Sequence, residues 1–299
     1  MNVEARSTSE SLPERSSSAL DGNDGAGALS AQIWPAIVLG CVCLLFSYWR
    51  WCKMAHFWLD EGRWLFEAFR FSYGELPYRD FTWQYPPLSI FVLGGAFRLF
   101  GATFATAQVV IDLLSSLLVF CVWQFARRLL SRGPAFAIVL LFAAVGGAQY
   151  AYAFPLFSLT IYTPAILTGS IGVLLACTAL VDLVRMGRLR VGGWIQLALG
   201  SLLALLSKPE CAIVIAAAAI AIALGGGLCG RFLSGLWVRQ AAKLIGVTLG
   251  PSLFLYGVLG AVVGYGNLMD GLSGYGQSSL FCPWWPSGLG VFGAAAALA

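Results

Sequence analysis

Residues 104–125 read FATAQVVIDLLSSLLVFCVWQF, an apolar run holding a single charge, Asp112. A helix of that length rises roughly 33 Å, enough to cross the ~30 Å hydrocarbon core of a bilayer. The same pattern recurs on both sides of it. Apolar runs cover 33–52, 134–153, 163–184, 193–206, 210–228 and 242–265, of which 193–206 is the shortest; an aqueous loop is expected at 266–286, before a last run that is interrupted at Ala299. The pattern predicts an all-α integral membrane protein, a multi-pass helical bundle with seven full spans and part of an eighth. Composition agrees: 59% of the chain is hydrophobic and 11% is charged, whereas a water-soluble domain carries about 25% charged residues.

Charge sets the expected orientation. Arg127, Arg128 and Arg132 follow the second span; Arg185, Arg188 and Arg190 follow the fourth; Arg231, Arg239 and Lys243 follow the sixth. The connections around 155–162 and after the seventh span have no Lys or Arg. The alternation fits a cytoplasmic N-terminus, with Arg50 and Lys53 counting against it. Residues 1–30, rich in Ser, Gly, Ala and acids, read as a disordered cytoplasmic tail; residues 31–299 form the transmembrane domain. The net charge of +4 comes from span ends and not from a basic tract, so no nucleic-acid partner is expected. The bilayer is the expected partner, in the inner cell membrane. The eight Cys lie mostly inside apolar runs, without zinc-site or disulfide spacing, and the single His, His56, excludes a multi-His metal site.

This orientation makes 53–103 a long first outer loop. Residues 86–101 are too short for a crossing and carry Arg98, so they are expected as a helix on the outer face. Asp60, Arg63, Glu67 and Arg70 are spaced three, four and three, which on a helix makes one polar stripe, with Leu65, Phe66, Phe69 and Tyr73 largely elsewhere. The segment is expected to lie flat at the interface, apolar side in lipid.

Four places carry candidate chemistry. Asp60 and Glu61 read as a general base on an acceptor hydroxyl, or as a helix cap and first-turn acids. Lys208 and Glu210 interrupt two apolar runs, either as an exposed ion pair or as a cation set for a phosphate. Arg79 and Asp80 read as a turn with a local ion pair, or as an anion clamp. Tyr85 opens the outer-face helix, with Pro86 and Pro87 at its first turn. The Trp284–Trp285 pair reads as an interfacial belt. No phosphate loop, GxSxG or dinucleotide fingerprint is present.

Taken together, Asp60-Glu61-Gly62-Arg63, Gly74-Glu75-Leu76-Pro77-Tyr78-Arg79-Asp80-Phe81, Tyr85-Pro86-Pro87-Leu88 and Leu99-Phe100-Gly101 resemble the first outer loop of GT-C fold membrane glycosyltransferases. The closest group is similar to the protein O-mannosyltransferases of glycosyltransferase family 39, with their bacterial aminoarabinose and galacturonic-acid transferase relatives. The resemblance covers about residues 33–265. It implies Asp60 as catalytic base with Glu61 beside it. It also implies Lys208, and more weakly Arg79, near the phosphate of a polyprenyl-phosphate sugar donor; Asp80, Tyr85 and Glu210 would support them. No metal ligand is assigned, and a divalent-metal requirement stays open. The acceptor would be a glycan, lipid or protein on the non-cytoplasmic side, with inversion expected. Two departures stand out. The family's Asp before the fourth span is missing from 157–163, and members continue through several more spans, so the C-terminal part is expected to be missing here. The alternative from another class is a multi-pass transporter or flippase for a lipid-linked or small substrate.

Overall fold

A computed structural model describes residues 34–35, 37–45, 47–48, 59–148, 164–226 and 235–273. Regular structure there is helical: helical backbone within 34–48, then α1 (Leu59–Ser72), α2 (Leu88–Phe100), α3 (Phe104–Leu129), α4 (Arg132–Ala148), α5 (Pro164–Met186), α6 (Val191–Leu205), α7 (Pro209–Gly226), α8 (Gly235–Val263) and α9 (Tyr265–Ser273). Among the described residues no strand forms, only one isolated bridge between Pro77 and Phe81. Three segments are long and apolar enough to cross a membrane: Phe104–Leu129, Pro164–Met186 and Ala242–Val263. Arg132–Ala144, Val191–Leu205 and Glu210–Ile222 are apolar but shorter. Of the seven predicted spans, three therefore meet the length and composition test within the described residues.

α3 starts where the Thr103 hydroxyl accepts a hydrogen bond from the Thr106 amide at 3.1 Å, an N-cap. It ends one turn beyond its apolar run, taking in Arg127 and Arg128. α5 crosses α6 at small residues. A Cβ on Gly172 would lie 2.5 Å from the Gly200 carbonyl oxygen and 2.6 Å from the Ala204 amide nitrogen, and one on Gly200 would lie 2.6 Å from the Gly172 oxygen. Ala176 and Ala204, one turn further along each helix, are fully buried. Small residues four apart on both partners let the two backbones touch.

At the C-terminal ends of α3 and α5, Arg128 Nε donates to Asp182 Oδ1 at 2.9 Å, while Trp123 on α3 meets Phe136 on α4 edge-on at 6.3 Å. This is the arginine-bearing end of the bundle. The first loop occupies the other end. There α1 packs on α2, and Trp64, Ala68, Trp83, Ile90, Leu93 and Phe97 form a buried cluster.

One expectation needs correction. The residues after 265 were assigned to an aqueous loop, yet Tyr265–Ser273 is helical and docks on the first loop. A Cβ on Gly271 would lie 2.4 Å from Tyr78 Cδ1 and 2.9 Å from the Trp83 oxygen. Packing against that aromatic cluster outweighs the two glycines and the asparagine that weaken α9 as a helix. Along the polar stripe of α1, Glu67 is buried while Arg63 is exposed, and the apolar Phe66, Phe69 and Tyr73 are exposed as well. These three rings point outward, and Glu67 turns with Trp64 and Ala68 toward the protein.

Candidate functional site at the loop end

A backbone hydrogen bond joins the first loop to the α6–α7 turn. The Leu88 amide donates to the Leu206 carbonyl at 2.9 Å. The start of α2 is thereby fastened to the turn that carries Lys208. The same turn is held from below. The buried Ser207 hydroxyl donates to the Leu203 carbonyl at 2.5 Å and shares a hydrogen bond with Thr168 Oγ1 on α5 at 2.8 Å. From α8, the Tyr256 hydroxyl donates to the Leu205 carbonyl at 3.0 Å. Lys208 is half-buried, and Glu210 is exposed in the first turn of α7, where the helix dipole favours an acid.

The loop itself is a tight aromatic structure. Trp64 stacks on Tyr85 at 5.1 Å and meets Trp83 edge-on at 4.7 Å. Tyr78 sits at φ +69°, a left-handed conformation that costs a bulky side chain about 1–2 kcal/mol. Its hydroxyl donates to the Tyr85 carbonyl at 2.5 Å, and its ring is buried against α9. Burial, with Tyr256 adding to it, pushes the Tyr78 hydroxyl well above its ordinary pKa. It is therefore a fixed hydrogen-bond donor.

Arg79 and Asp80 form the local ion pair. Arg79 Nε and Nη2 donate to the Asp80 carboxylate at 3.0 and 2.9 Å. That hydrogen bond, followed by the one from the Leu76 amide, lowers the Asp80 pKa to about 2. The Arg79 guanidinium is thus engaged by its own neighbour, which favours the turn reading over the anion clamp. Arg70 closes the loop against α1. It donates to Glu75 Oε2 at 2.6 Å and to the Asp80 carbonyl at 3.0 Å, and it lies over the Phe81 ring at 4.6 Å.

The backbones of Asp60 and Glu61 belong to the first turn of α1, so Asp60 is inside the helix and not at its cap. Their side chains lie outside the described residues, as do His56, the Trp284–Trp285 pair, residues 157–163 and the tail at 1–30. Asp112 accepts from Gln108 Nε2 at 2.9 Å on the loop half of α3. Among the described residues, no three His, Cys, Asp or Glu side chains stand close enough to hold a metal.

One titratable group went unnoticed among the candidates. Glu67 is 8% exposed, and its Oε2 has no hydrogen bond, with Arg70 Nη1 3.8 Å away. Burial raises its pKa; Arg70 and Arg63 oppose the shift and Glu75 adds to it. The signal that finds it is spacing: Glu67 lies three residues after Trp64 and one before Ala68, on the face that meets α2. Below the Lys208 turn, a cavity of about 190 Å³ lies between α6, α7 and α8. Leu205, Ala212, Ile215 and Leu249 line it, along with Ser201 and Thr248, whose hydroxyls are buried without a partner.

No family model, no curated protein and no solved structure matches the chain.

Proposed function

We propose that the chain is a multi-pass membrane glycosyltransferase that moves a sugar from a polyprenyl-phosphate carrier to an acceptor on the non-cytoplasmic side. The observation that carries this reading is the Leu88–Leu206 hydrogen bond, which seats the Lys208 turn against the loop that bears Asp60 and Glu61. A polyprenyl tail dissolves in lipid, so its phosphate sits at the interface. Lys208 offsets the charge on the departing phosphate, and Asp60 takes the proton of the acceptor hydroxyl. The apolar cavity between α6, α7 and α8 has the chemistry of an isoprenoid tail, and two of its lining residues, Leu205 and Ala212, flank the Lys208 turn in sequence. The arginines at the far end give the loop end its outward assignment, with the N-terminus cytoplasmic.

The test is reconstitution of the full chain in vesicles with radiolabelled polyprenyl-phosphate sugars. The reading expects release of free polyprenyl phosphate that depends on added acceptor. Movement of labelled carrier between leaflets without release establishes the transporter and ends the glycosyltransferase reading.

A further inference from the structure

We infer that the arginine-bearing end of the bundle is a binding surface for the headgroups of anionic phospholipids. The fold brings Arg127 and Arg128 from α3, Arg132 from α4, and Arg185, Arg188 and Arg190 from the α5–α6 connection to one end. Arg132, Arg185, Arg188 and Arg190 are exposed. Asp182 is the one carboxylate at this end among the described residues, and Arg128 already engages it at 2.9 Å. That pair fixes α3 against α5 and neutralises Asp182, which leaves the guanidinium groups around it free to meet an outside anion.

The surroundings select a lipid over a soluble anion. Leu129, Val184, Met186 and Val191 are 49, 62, 52 and 77% exposed between the arginines. A water-facing phosphate site has no use for such a ring, whereas acyl chains descending from a headgroup cover it. Arg127 lies over the Trp123 ring at 5.7 Å, and Trp is the residue that sits at headgroup depth. Guanidinium forks match phosphate oxygens with two hydrogen bonds. An anionic phospholipid therefore supplies both the charge that the arginines lack and the acyl chains that cover Leu129, Val184, Met186 and Val191.

The inference rests on the helices crossing a bilayer, and the experiment separates the two. The full chain is reconstituted in vesicles of phosphatidylcholine with a minor share of phosphatidylglycerol. It is then floated on a density gradient, extracted in mild detergent and weighed intact to identify retained lipid. Phosphatidylglycerol should be retained above its bulk share. Each arginine near an anionic surface contributes an enrichment on the order of 5-fold. The triple variant Arg185→Gln, Arg188→Gln, Arg190→Gln should lose most of it, and half-molar salt should weaken it. The control Arg63→Gln, Arg98→Gln at the loop end should keep it. A chain that fails to float removes the bilayer reading and this one with it. A chain that floats but retains both lipids in bulk proportion overturns the headgroup site alone, as does a triple variant that retains phosphatidylglycerol like the parent.

Discussion

The Leu88 amide and the Leu206 carbonyl are 2.9 Å apart, so the start of α2 and the end of α6 are one structural unit. If the bundle spans a bilayer, the first loop and the Lys208 turn emerge on one side. Cysteines placed at the exposed Thr82 and Glu210, in a background without native cysteines, should react together with an impermeant maleimide added outside. One at the exposed Arg188 should react only after permeabilisation. Opposite protection of positions 82 and 210 would sink both the topology and the proposed chemistry.

Lys208→Gln should lower kcat/KM for a polyprenyl-phosphate donor by roughly 10–100-fold, the loss expected for one charge-assisted contact. The change should appear in KM if the ammonium binds the ground-state phosphate, and in kcat if it meets only the departing one. Thermal unfolding of the variant should match the parent, because Ser207, Thr168 and Tyr256 hold the turn without that side chain. Unchanged kinetics would take Lys208 out of the donor site.

Asp60→Asn should reduce turnover by about 10²–10⁴-fold, the usual contribution of a positioned base, while donor binding measured by titration stays near that of the parent. Glu61→Gln in parallel tells which of the two neighbouring carboxylates accepts the proton. Full activity in both variants leaves the loop without a base at this position.

Glu67 gives a pH dependence whose sign is fixed. Burial raises its pKa above 4.5, so the native state holds the proton more tightly than the unfolded chain does. Stability is then greatest at acid pH and falls as pH rises from the ordinary carboxyl range through the raised value. Glu67→Gln should remove that slope and melt above the parent at neutral pH, with the gap closing near pH 4. Parallel melting curves for the two proteins across this range would contradict the burial argument.

Gly172→Val should separate α5 from α6. The added carbons meet backbone atoms within 2.6 Å, and overpacking of this kind typically costs 1–3 kcal/mol. Gly95→Ala on α2, where a Cβ meets nothing within 4 Å, is the matched control and should leave the melting temperature unchanged or raise it slightly. Equal melting of the Gly172 variant and the parent would mean that the crossing is looser than described.

Much of the helix layout was legible in the sequence, because apolar run length and Pro, Gly and Arg punctuation act locally. The run 104–125 became Phe104–Leu129, 193–206 became Val191–Leu205, and the short outer helix expected at 86–101 became Leu88–Phe100. What escaped was decided between segments. Periodicity shows that Glu67 shares a face with Arg63 and Arg70, but not which face meets α2. Packing against α2 turns Glu67 inward and leaves Arg63 of the same stripe exposed. α9 escaped because Gly266, Asn267 and Gly271 read as a loop, and only the aromatic cluster it docks on makes them helical. Asp60, Glu61, Lys208 and Arg79 were legible as residue types at interfaces. The Leu88–Leu206 bond was not legible, because it joins parts far apart in sequence, whereas the Arg79–Asp80 ion pair was one of the two readings of that turn.

Because α5 and α6 touch backbone to backbone at Gly172 and Gly200, no alkyl chain fits between them. That seam is a strut. Any lipid-borne molecule reaching the Lys208 turn from the side must part a different pair of helices. The gap between α6, α7 and α8, walled by aliphatic carbon and with Ile213 and Leu249 exposed at its edge, is where the bundle can yield without breaking its spine.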